Sequence, residues 1–411
     1  NLCDVLKDDG INYSDYVSEL VMLLFVKMVD ELDDEFSTLA KIYPEKYKWA
    51  HFNDHNGIEL LTFYKQMLLD LSQNQNELIA SIYANAQTRL REPRHLQQLI
   101  REFDKLDWFS IKADGLGDLY EGLLEKNATE TKSGAGQYFT PRPLINSIVH
   151  CIQPKPSEVI QDPACGTAGF LIAADAYIRQ HHDLYALTEQ ETQFYTLDAF
   201  VGVELVPNTR RLAQMNCLLH DIGGEQGAIK LGNSLGPVGQ ALPKADVILA
   251  NPPFGTSKGG EASITRDDLP FNTSNKQLAF LQHIYKNLKP GGRAAVVLPD
   301  NVLFEGGSGE TVRRKLMETT DLHTILRLPT GIFYAQGVKT NVLFFTRGKK
   351  DAGNTKEVWV YDMRANMPQF GKRTPFTRDY FRTPADAPAS TPRNKFEDVF
   401  GDDPQGAPKA L

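Results

Sequence analysis

The feature that most constrains this chain is an apolar run, Ala245 to Ala250, followed at once by Asn251-Pro252-Pro253-Phe254. The run is long enough for a buried strand, and two consecutive prolines can neither donate ladder hydrogen bonds nor continue a helix. The sequence therefore predicts a rigid polar turn at a strand end. Ligands bind at the carboxyl ends of strands in open α/β sheets, although this stretch alone leaves an ordinary turn as the alternative.

The chain shows three kinds of pattern along its length. From Glu158 onward strand-like and helix-like segments alternate, which is typical of a doubly wound α/β sheet. Residues 1–130 carry apolar side chains at helical spacing, which predicts a separate helical domain. Residues 366–411 are rich in Pro, Asp, Thr and Gly and predict a tail with little core. The sheet domain accordingly spans residues 131–365.

Composition excludes several classes of protein. The four cysteines lie far apart without a CxxC pair, which argues against a zinc site or a disulfide framework and fits a reducing cytoplasm. Apolar runs are shorter than a membrane span, and a signal peptide is not evident. The net charge is −8, so the composition as a whole does not indicate a basic surface for binding nucleic acid. We therefore expect a cytoplasmic protein without metal or membrane, whose partner supplies much of any attraction to phosphate.

A turn of small residues, Asp162 to Gly169, lies between a predicted strand and a predicted helix. Small residues in a first βα turn let a ligand approach the backbone closely. Only Gly166 and Gly169 are glycines, so the turn is not the GxGxxG of dinucleotide-binding proteins. The carboxylate of Asp162 would repel a pyrophosphate, and it favours a ligand that carries positive charge and hydroxyls.

The next two predicted strands also end in polar residues. Val201 to Glu204 ends in a carboxylate, which in such folds accepts both hydroxyl protons of a ribose. A surface glutamate that begins a helix is the alternative. Lys230 to Ser234 ends in small polar residues, including Asn233, and offers a place where the base of a cofactor could rest.

A Gly-rich joint, Thr131 to Gly136, leads into Gln137-Tyr138-Phe139-Thr140-Pro141-Arg142-Pro143. Gly and Ser predict a linker, whereas the aromatic pair and prolines predict a fixed shape before a helix from Leu144 to Cys151. Thr140 would cap that helix, with Pro141 at its first position. An ordered helix start also offers free backbone amides to a ligand, so both interpretations stay open.

The strand ends together predict chemistry on an amine. The amide oxygen of Asn251 and the carbonyl of Pro252 can each accept a hydrogen bond, and Phe254 offers a flat face. The exocyclic N6 of adenine is a poor nucleophile because its lone pair is delocalised, and two acceptors favour the pyramidal form that can attack. A methyl sulfonium is the matching electrophile, because the pocket has acids and no phosphate-binding lysine. The enzyme then needs to do little beyond alignment.

Asn251 to Phe254 resembles the catalytic motif of amino-methyltransferases, and Asp162 to Gly169 resembles their S-adenosylmethionine turn. Over about residues 1–380 the chain is similar to the modification subunit of type I restriction-modification systems. Three further stretches carry this resemblance: Gly134 to Pro143, Lys276 to Leu281 and Pro299 to Gly307. The resemblance implies N6-adenine methylation of double-stranded DNA. It also implies a Rossmann-like methyltransferase domain with a mostly parallel, seven-stranded sheet, preceded by the helical domain.

The resemblance and the strand ends together give the expected site. The catalytic residues are Asn251, Pro252, Pro253 and Phe254. S-adenosylmethionine is expected to contact Gln137, Tyr138, Phe139, Thr140, Pro141, Arg142, Asp162, Gly166, Thr167, Ala168, Gly169, Glu204 and Asn233. The resemblance further implies that two modification subunits assemble with one specificity subunit, with a restriction subunit as a further partner. The target adenine must leave the duplex to reach Phe254.

Three alternatives keep part of this interpretation. Protein glutamine methyltransferases use a similar motif on a planar amide, although the large helical domain disfavours that substrate. The N4 amine of cytosine is a closer chemical alternative, and a non-catalytic scaffold that retains the fold is the third. The chain begins without methionine and ends where such subunits continue into a further helical region. We therefore expect ends that are trimmed or disordered.

Overall fold

The computed structural model describes most of the chain: residues 5–6, 8–11, 13–32, 38–106, 108, 120, 122, 140–254, 264–333, 338–365, 367–370 and 373–401. The chain divides into two compact units. The first contains Asn1–Thr131 and Arg211–Ala228, and the second contains Lys132–Arg210 and Ile229–Leu411. Within the described ranges, no helix is both long enough and apolar enough to cross a membrane.

The first unit is helical, as its apolar spacing predicts. Its helices are α1 (Tyr13–Glu31), α2 (Thr38–Ile42), α3 (Gly57–Ser72), α4 (Glu77–Tyr83) and α5 (Pro93–Asp104). The α4 helix ends at Tyr83, shortly before Asn85, which adopts a left-handed backbone with φ of 56°.

The buried carboxylate of Glu19 accepts hydrogen bonds from the Thr88 hydroxyl and the Arg89 amide, at 2.7 and 2.6 Å. These bonds satisfy an acid that would otherwise be costly to bury.

The second unit is built on one sheet. Its strands are β1 (Ile160–Asp162), β2 (Phe200–Glu204), β3 (Ile229–Leu231), β4 (Ala245–Ala250), β5 (Leu288–Pro299), β6 (Thr320–Arg327), β7 (Thr340–Arg347) and β8 (Trp359–Asp362). They lie in the order β3-β2-β1-β4-β5-β7-β6-β8, and β7 alone is antiparallel to its neighbours. The predicted α/β class with a mostly parallel sheet is confirmed. The described residues form eight strands, one more than predicted.

Helices cover the connections of this sheet. They are α6 (Arg142–Ile152), α7 (Gly169–His181), α8 (Glu189–Leu197), α9 (Pro207–Leu219), α10 (Pro237–Gln240), α11 (Lys276–Asn287), α12 (Asn301–Phe304), α13 (Ser308–Thr319) and α14 (Phe396–Phe400). Residues 247–250 of β4 are fully buried. A strand covered on both faces reads as a continuous apolar run, which is why the sequence located β4 so well.

The α9 helix contributes to both units along its length. Its residues from Arg211 onward belong to the first unit, where Met215 and Leu218 are part of the hydrophobic core. Arg211 is half-buried and donates from Nε to the carbonyl of Ile82 at 2.5 Å. Arg210 is half-buried as well, so neither arginine of this pair lies on a fully exposed side of the helix.

The segment from residue 373 to residue 401 contributes to the interior of the second unit. Phe381, Phe396 and Phe400 are buried, and the rings of Phe396 and Phe400 lie 5.7 and 5.1 Å from that of Phe344 on β7. The low-core character predicted for the tail does not extend to these residues. Composition missed them because a few aromatic rings suffice to dock a Pro-rich segment on an existing sheet.

Candidate active site

The strand order creates a crevice at the carboxyl ends of β1 and β4. Both strands pair in parallel, with Gln161 opposite Ile248, while β1 also pairs in parallel with β2 on its other side. The chain therefore runs outward from β1 to β3 and then returns to β4, and ligands bind at such a switch point. Asp162 ends β1 and Asn251 directly follows β4, so the fold brings the two predicted halves of the site to one edge.

The first turn is tied to the end of β2 by backbone amides. The Gly166 amide donates to Oε2 of Glu204 at 3.1 Å, and the Cys165 amide donates to the Val203 carbonyl at 3.0 Å. Gly166 has a φ of +54°, a region that glycine adopts without strain. Ala168 adopts the same region, with a φ of 69°, directly before α7. The turn thus has a fixed shape whose small side chains leave its backbone accessible.

The carboxylate of Glu204 is held on both oxygens. Besides Gly166, the Val206 amide donates to Oε1 at 2.8 Å. Partial burial raises the pKa of Glu204, against these backbone hydrogen bonds, which lower it. A carboxylate has about four lone-pair sites, so both oxygens retain capacity for hydroxyl donors. Its contact with a ribose remains a prediction.

Asp162 is almost completely buried, at 1 % exposure. Its Oδ1 accepts a hydrogen bond from the Ala164 amide at 3.0 Å. Burial raises the pKa of Asp162 to about 8, the Ala164 bond opposes the rise, and the negative charge of Glu204 adds to it. A positively charged ligand in this turn would relieve the cost of ionising the buried acid.

The loop after β3 joins the first turn. The hydroxyl of Ser234 donates to the Pro163 carbonyl at 2.6 Å. Asn233 organises the same loop, because its Oδ1 accepts from the Leu235 amide at 2.9 Å and its carbonyl accepts from the Gly236 amide at 3.0 Å. The predicted resting place for a cofactor base is therefore in contact with the predicted cofactor turn.

A hydrogen bond from Nδ2 of Asn251 to the hydroxyl of Thr140, at 2.8 Å, orients the Asn251 side chain. This bond fixes the plane of the amide at the end of β4. Pro252 is buried and Pro253 is exposed. The half-buried ring of Phe254 meets the ring of Phe333 edge-on, at 6.1 Å and 69°.

The segment before α6 has a different role from the predicted cap. The residue preceding α6 is Pro141, whose side chain has no polar atom, so the helix start has no side-chain cap. The Thr140 hydroxyl accepts a hydrogen bond from Asn251. The guanidinium of Arg142 donates from Nη1 to the Gly169 carbonyl at 3.4 Å. Gln137, Tyr138 and Phe139 lie outside the described residues.

Two features of the site escaped the sequence interpretation. The contact between Thr140 and Asn251 joins residues 111 positions apart, and such contacts leave no local signature. Phe333 lies between β6 and β7, where the only sequence signal was an aromatic residue after Gly331 and Ile332. Among the described residues, no cluster of His, Cys, Asp and Glu could hold a metal ion.

The residues present fit S-adenosylmethionine. The site offers two carboxylates for a positive sulfonium and ribose hydroxyls, and a turn of small residues for close approach. Gly202 keeps the end of β2 close to this turn, since a Cβ there would lie 2.5 Å from Ile229 Cδ1 and 3.1 Å from Cys165 Sγ. The cofactor would be held between the turn, Glu204 and the loop that contains Asn233.

Comparison with known families decides between the remaining interpretations. The profile of the N-6 DNA Methylase family matches residues 111–398, and that of the HsdM N-terminal domain matches residues 1–103. The chain belongs to the N-6 DNA Methylase family. As the sequence predicted, it is an adenine-specific DNA methyltransferase of the type I modification-subunit class, and its cofactor is S-adenosylmethionine.

Individual relatives match this chain over nearly its whole length. The type I restriction enzyme EcoKI methylase subunit of Escherichia coli (strain K12) is 53% identical, over 98% of this chain and 75% of the relative. The crystal structure of the EcoKI M protein superposes with a TM-score of 0.61 at 49% identity, covering 100% of this chain and 77% of that one. A modification subunit of a putative type I restriction enzyme from Vibrio vulnificus YJ016 gives a TM-score of 0.73 at 26% identity, covering 92% and 85%.

Proposed function

We propose that the chain transfers the methyl group of S-adenosylmethionine to N6 of an adenine flipped out of double-stranded DNA, as the modification subunit of a type I complex. The observation that carries this proposal is the Asn251 amide, held by Thr140 at 2.8 Å at the strand end next to the carboxylate-lined turn. One acceptor for an amine therefore lies at the same sheet edge as the groups that suit a sulfonium cofactor.

The residues of the chain act on the amine by accepting hydrogen bonds from its two N–H groups. The Asn251 amide oxygen accepts from one N6–H and the Pro252 carbonyl oxygen accepts from the other, which favours the pyramidal amine with a free lone pair. When bound, S-adenosylmethionine supplies a methyl carbon on a positively charged sulfur. Thr140 keeps the amide from rotating, so the acceptor needs no reorganisation during the reaction.

Phe254 supplies the face on which the flipped base stacks. Base-aromatic stacking contributes about 1–3 kcal/mol per base, and flipping costs a few kcal/mol. The edge-on contact with Phe333 limits rotation of the Phe254 ring. A ring held in one orientation loses less conformational freedom when the base arrives.

The cofactor is assigned to three strand ends and to the segment before α6. We assign Glu204 to the ribose hydroxyls, Asn233 to the side of the base, and the buried acid of Asp162 to the positive end. The remaining proposed contacts are Gln137, Tyr138, Phe139, Thr140, Pro141, Arg142, Gly166, Thr167, Ala168 and Gly169. We propose 1–130, 131–365 and 366–411 as the domains of the sequence, although Arg211–Ala228 belongs to the first compact unit and residues 373–401 pack into the second.

DNA sequence recognition is assigned to a separate specificity subunit, with two modification subunits for each one and a restriction subunit as a further partner. The net charge of −8 supports this division, because a protein that read DNA alone would be expected to carry a basic face. A cytoplasmic location follows from the same assignment. The match to a DNA methylase profile argues against glutamine in protein as the substrate.

The proposal is tested by Asn251→Ala in a complex co-expressed with a specificity subunit. Loss of the acceptor is expected to lower kcat by about 100- to 1000-fold, equivalent to about 3–4 kcal/mol, with S-adenosylmethionine affinity unchanged. Labelled methyl transfer to unmodified DNA measures the rate, and calorimetry measures binding.

The matched control is Gln190→Ala, which truncates an exposed amide on α8 and should methylate normally. Nucleoside analysis identifies the product. Methylation by Asn251→Ala at the wild-type rate would remove Asn251 from the mechanism. Label in N4-methylcytosine or in protein, with none in N6-methyladenine, would overturn the substrate.

A further inference from the structure

A buried guanidinium belongs to none of the groups described so far. Arg266 is 8 % exposed and lies in residues 264–271, the bridge segment, which follows the Asn251 motif along the chain. Its Nε and Nη2 donate to the two carboxylate oxygens of Asp268, both at 2.6 Å. Two parallel hydrogen bonds to one carboxylate offset the desolvation of the buried charge and fix the orientation of the guanidinium.

The second partner of Arg266 is the imidazole of His283 on α11. Its Nδ1 lies 2.7 Å from Nη1 of Arg266. A guanidinium only donates, so Nδ1 must accept and the imidazole proton must reside on Nε2. His283 is fully buried and neutral, which leaves Arg266 with one acid and one neutral acceptor in fixed positions.

One end of the bridge segment contacts the loop after β3. The Thr265 amide donates to the Leu235 carbonyl at 2.9 Å, and Nη1 of Arg266 lies 3.5 Å from the Ser234 carbonyl. The Ser234 hydroxyl donates in turn to Pro163 in the first turn. A continuous chain of polar contacts therefore runs from Arg266 to the turn after β1.

Apolar contacts follow the same path. Ile264 and Leu269 of the bridge segment pack in one cluster with Leu235 and Ala164. The other end of the segment is fixed to α11 by Gln282, whose side chain accepts from the Phe271 amide at 2.8 Å and donates to the Phe271 carbonyl at 3.0 Å. The bridge segment is thus attached both to α11 and to the cofactor side of the crevice.

We propose that Arg266 is a positioning residue for S-adenosylmethionine. Arg266 holds the Asn233–Ser234 loop against the first turn, and it acts through Ser234. In this way a residue in the segment after the catalytic motif sets the width of the cofactor site. This inference rests on the proposed cofactor role of Asn233 and of the turn. It adds a residue that touches neither cofactor nor substrate.

The inference is tested with Arg266→Lys and Ser234→Ala in the full chain. A lysine keeps the charge but cannot bond both Asp268 oxygens and His283 at once. Each variant is expected to raise the Kd of S-adenosylmethionine about tenfold by calorimetry. The double variant should weaken binding little more than the stronger single one, because both act through one chain of contacts. In the complex with a specificity subunit, KM for the cofactor should rise while kcat at saturation changes less than about twofold.

The control is Arg314→Gln, which breaks the exposed pair with Glu310 on α13 and should leave both constants unchanged. If Arg266→Lys and Ser234→Ala lower only the melting temperature, with Kd and KM as in the wild type, Arg266 has a structural role and the inference is wrong. Additive losses in the double variant would contradict action through Ser234. If the wild-type chain itself binds no S-adenosylmethionine, the cofactor assignment fails and the inference fails with it.

Discussion

The two halves of the crevice are built in different ways. At the ends of β1, β2 and β3 the groups are held by backbone amides and by interior packing, as with Gly166 and Glu204 or Ser234 and Pro163. At the end of β4 the Asn251 amide is oriented by a side-chain hydrogen bond to Thr140, and the ring of Phe254 meets the ring of Phe333. The cofactor half therefore relies on main-chain geometry, whereas contacts between side chains help to orient the catalytic half. Substitutions in the two halves should therefore differ in their effects on stability and on activity.

The largest effect is expected for Gly202→Val in the cofactor half. A Cβ at this position would meet Ile229 Cδ1, Cys165 Sγ and Leu171 Cδ1 at 2.5, 3.1 and 3.2 Å. Overpacking of this kind should lower the free energy of unfolding by about 3 kcal/mol, measured by urea denaturation. Gly306→Ala is the control, because nothing lies within 4 Å of its Cβ position. Equal stability of Gly202→Val and the wild type would show that the end of β2 is packed less tightly against the turn than these distances indicate.

A smaller effect is expected from the protonation of Asp162. Its pKa is about 8 in the folded chain, against an ordinary 3.8, so the folded state holds a proton that the unfolded state releases. The contribution of this proton to the free energy of unfolding is complete below pH 3.8 and is lost as pH rises through 8. Between these values the free energy of unfolding should fall by at most about 1.4 kcal/mol per pH unit.

Asp162→Asn removes this titration and should flatten the pH dependence between pH 6.5 and 8.5, measured by urea denaturation without cofactor. The pKa of His283 is lowered to about 3, so that residue destabilises the fold only as pH falls below its ordinary value of 6.5. It does not contribute in the chosen window. Parallel curves for Asp162→Asn and the wild type would contradict a buried, protonated Asp162.

The smallest effect is expected for Thr140→Val, which removes the hydroxyl that orients Asn251. Loss of one hydrogen bond of about 1 kcal/mol should lower kcat about fivefold, measured by labelled methyl transfer. Thr140→Ser keeps the hydroxyl and should retain the wild-type rate. Because Thr140 is also a proposed cofactor contact, a rise in KM for S-adenosylmethionine at constant kcat would instead assign it to the cofactor half.

The sequence predicted those parts of the fold whose signals are local. The β4 strand was located because a strand buried on both faces is continuously apolar, and the turn before α7 because close approach requires small residues. The contacts between Thr140 and Asn251 and between Phe254 and Phe333 were not predictable, because a hydrogen bond or ring contact across the fold imposes no spacing on either segment. Arg266 was missed for a related reason. A charged residue in a polar loop is expected to be solvent-exposed, unless its buried partners in other segments are known.

The α9 helix also limits how the protein can be dissected. Met215, Leu218 and Leu219 belong to the hydrophobic core of the helical unit, although they come more than 80 residues after its main segment ends at Thr131. A fragment that starts at Lys132 would carry these apolar side chains without the core that buries them, and a fragment that ends at Thr131 would lack them. Neither unit can be expressed intact by a single cut, so inactivity of a truncated chain would report lost packing rather than a missing function.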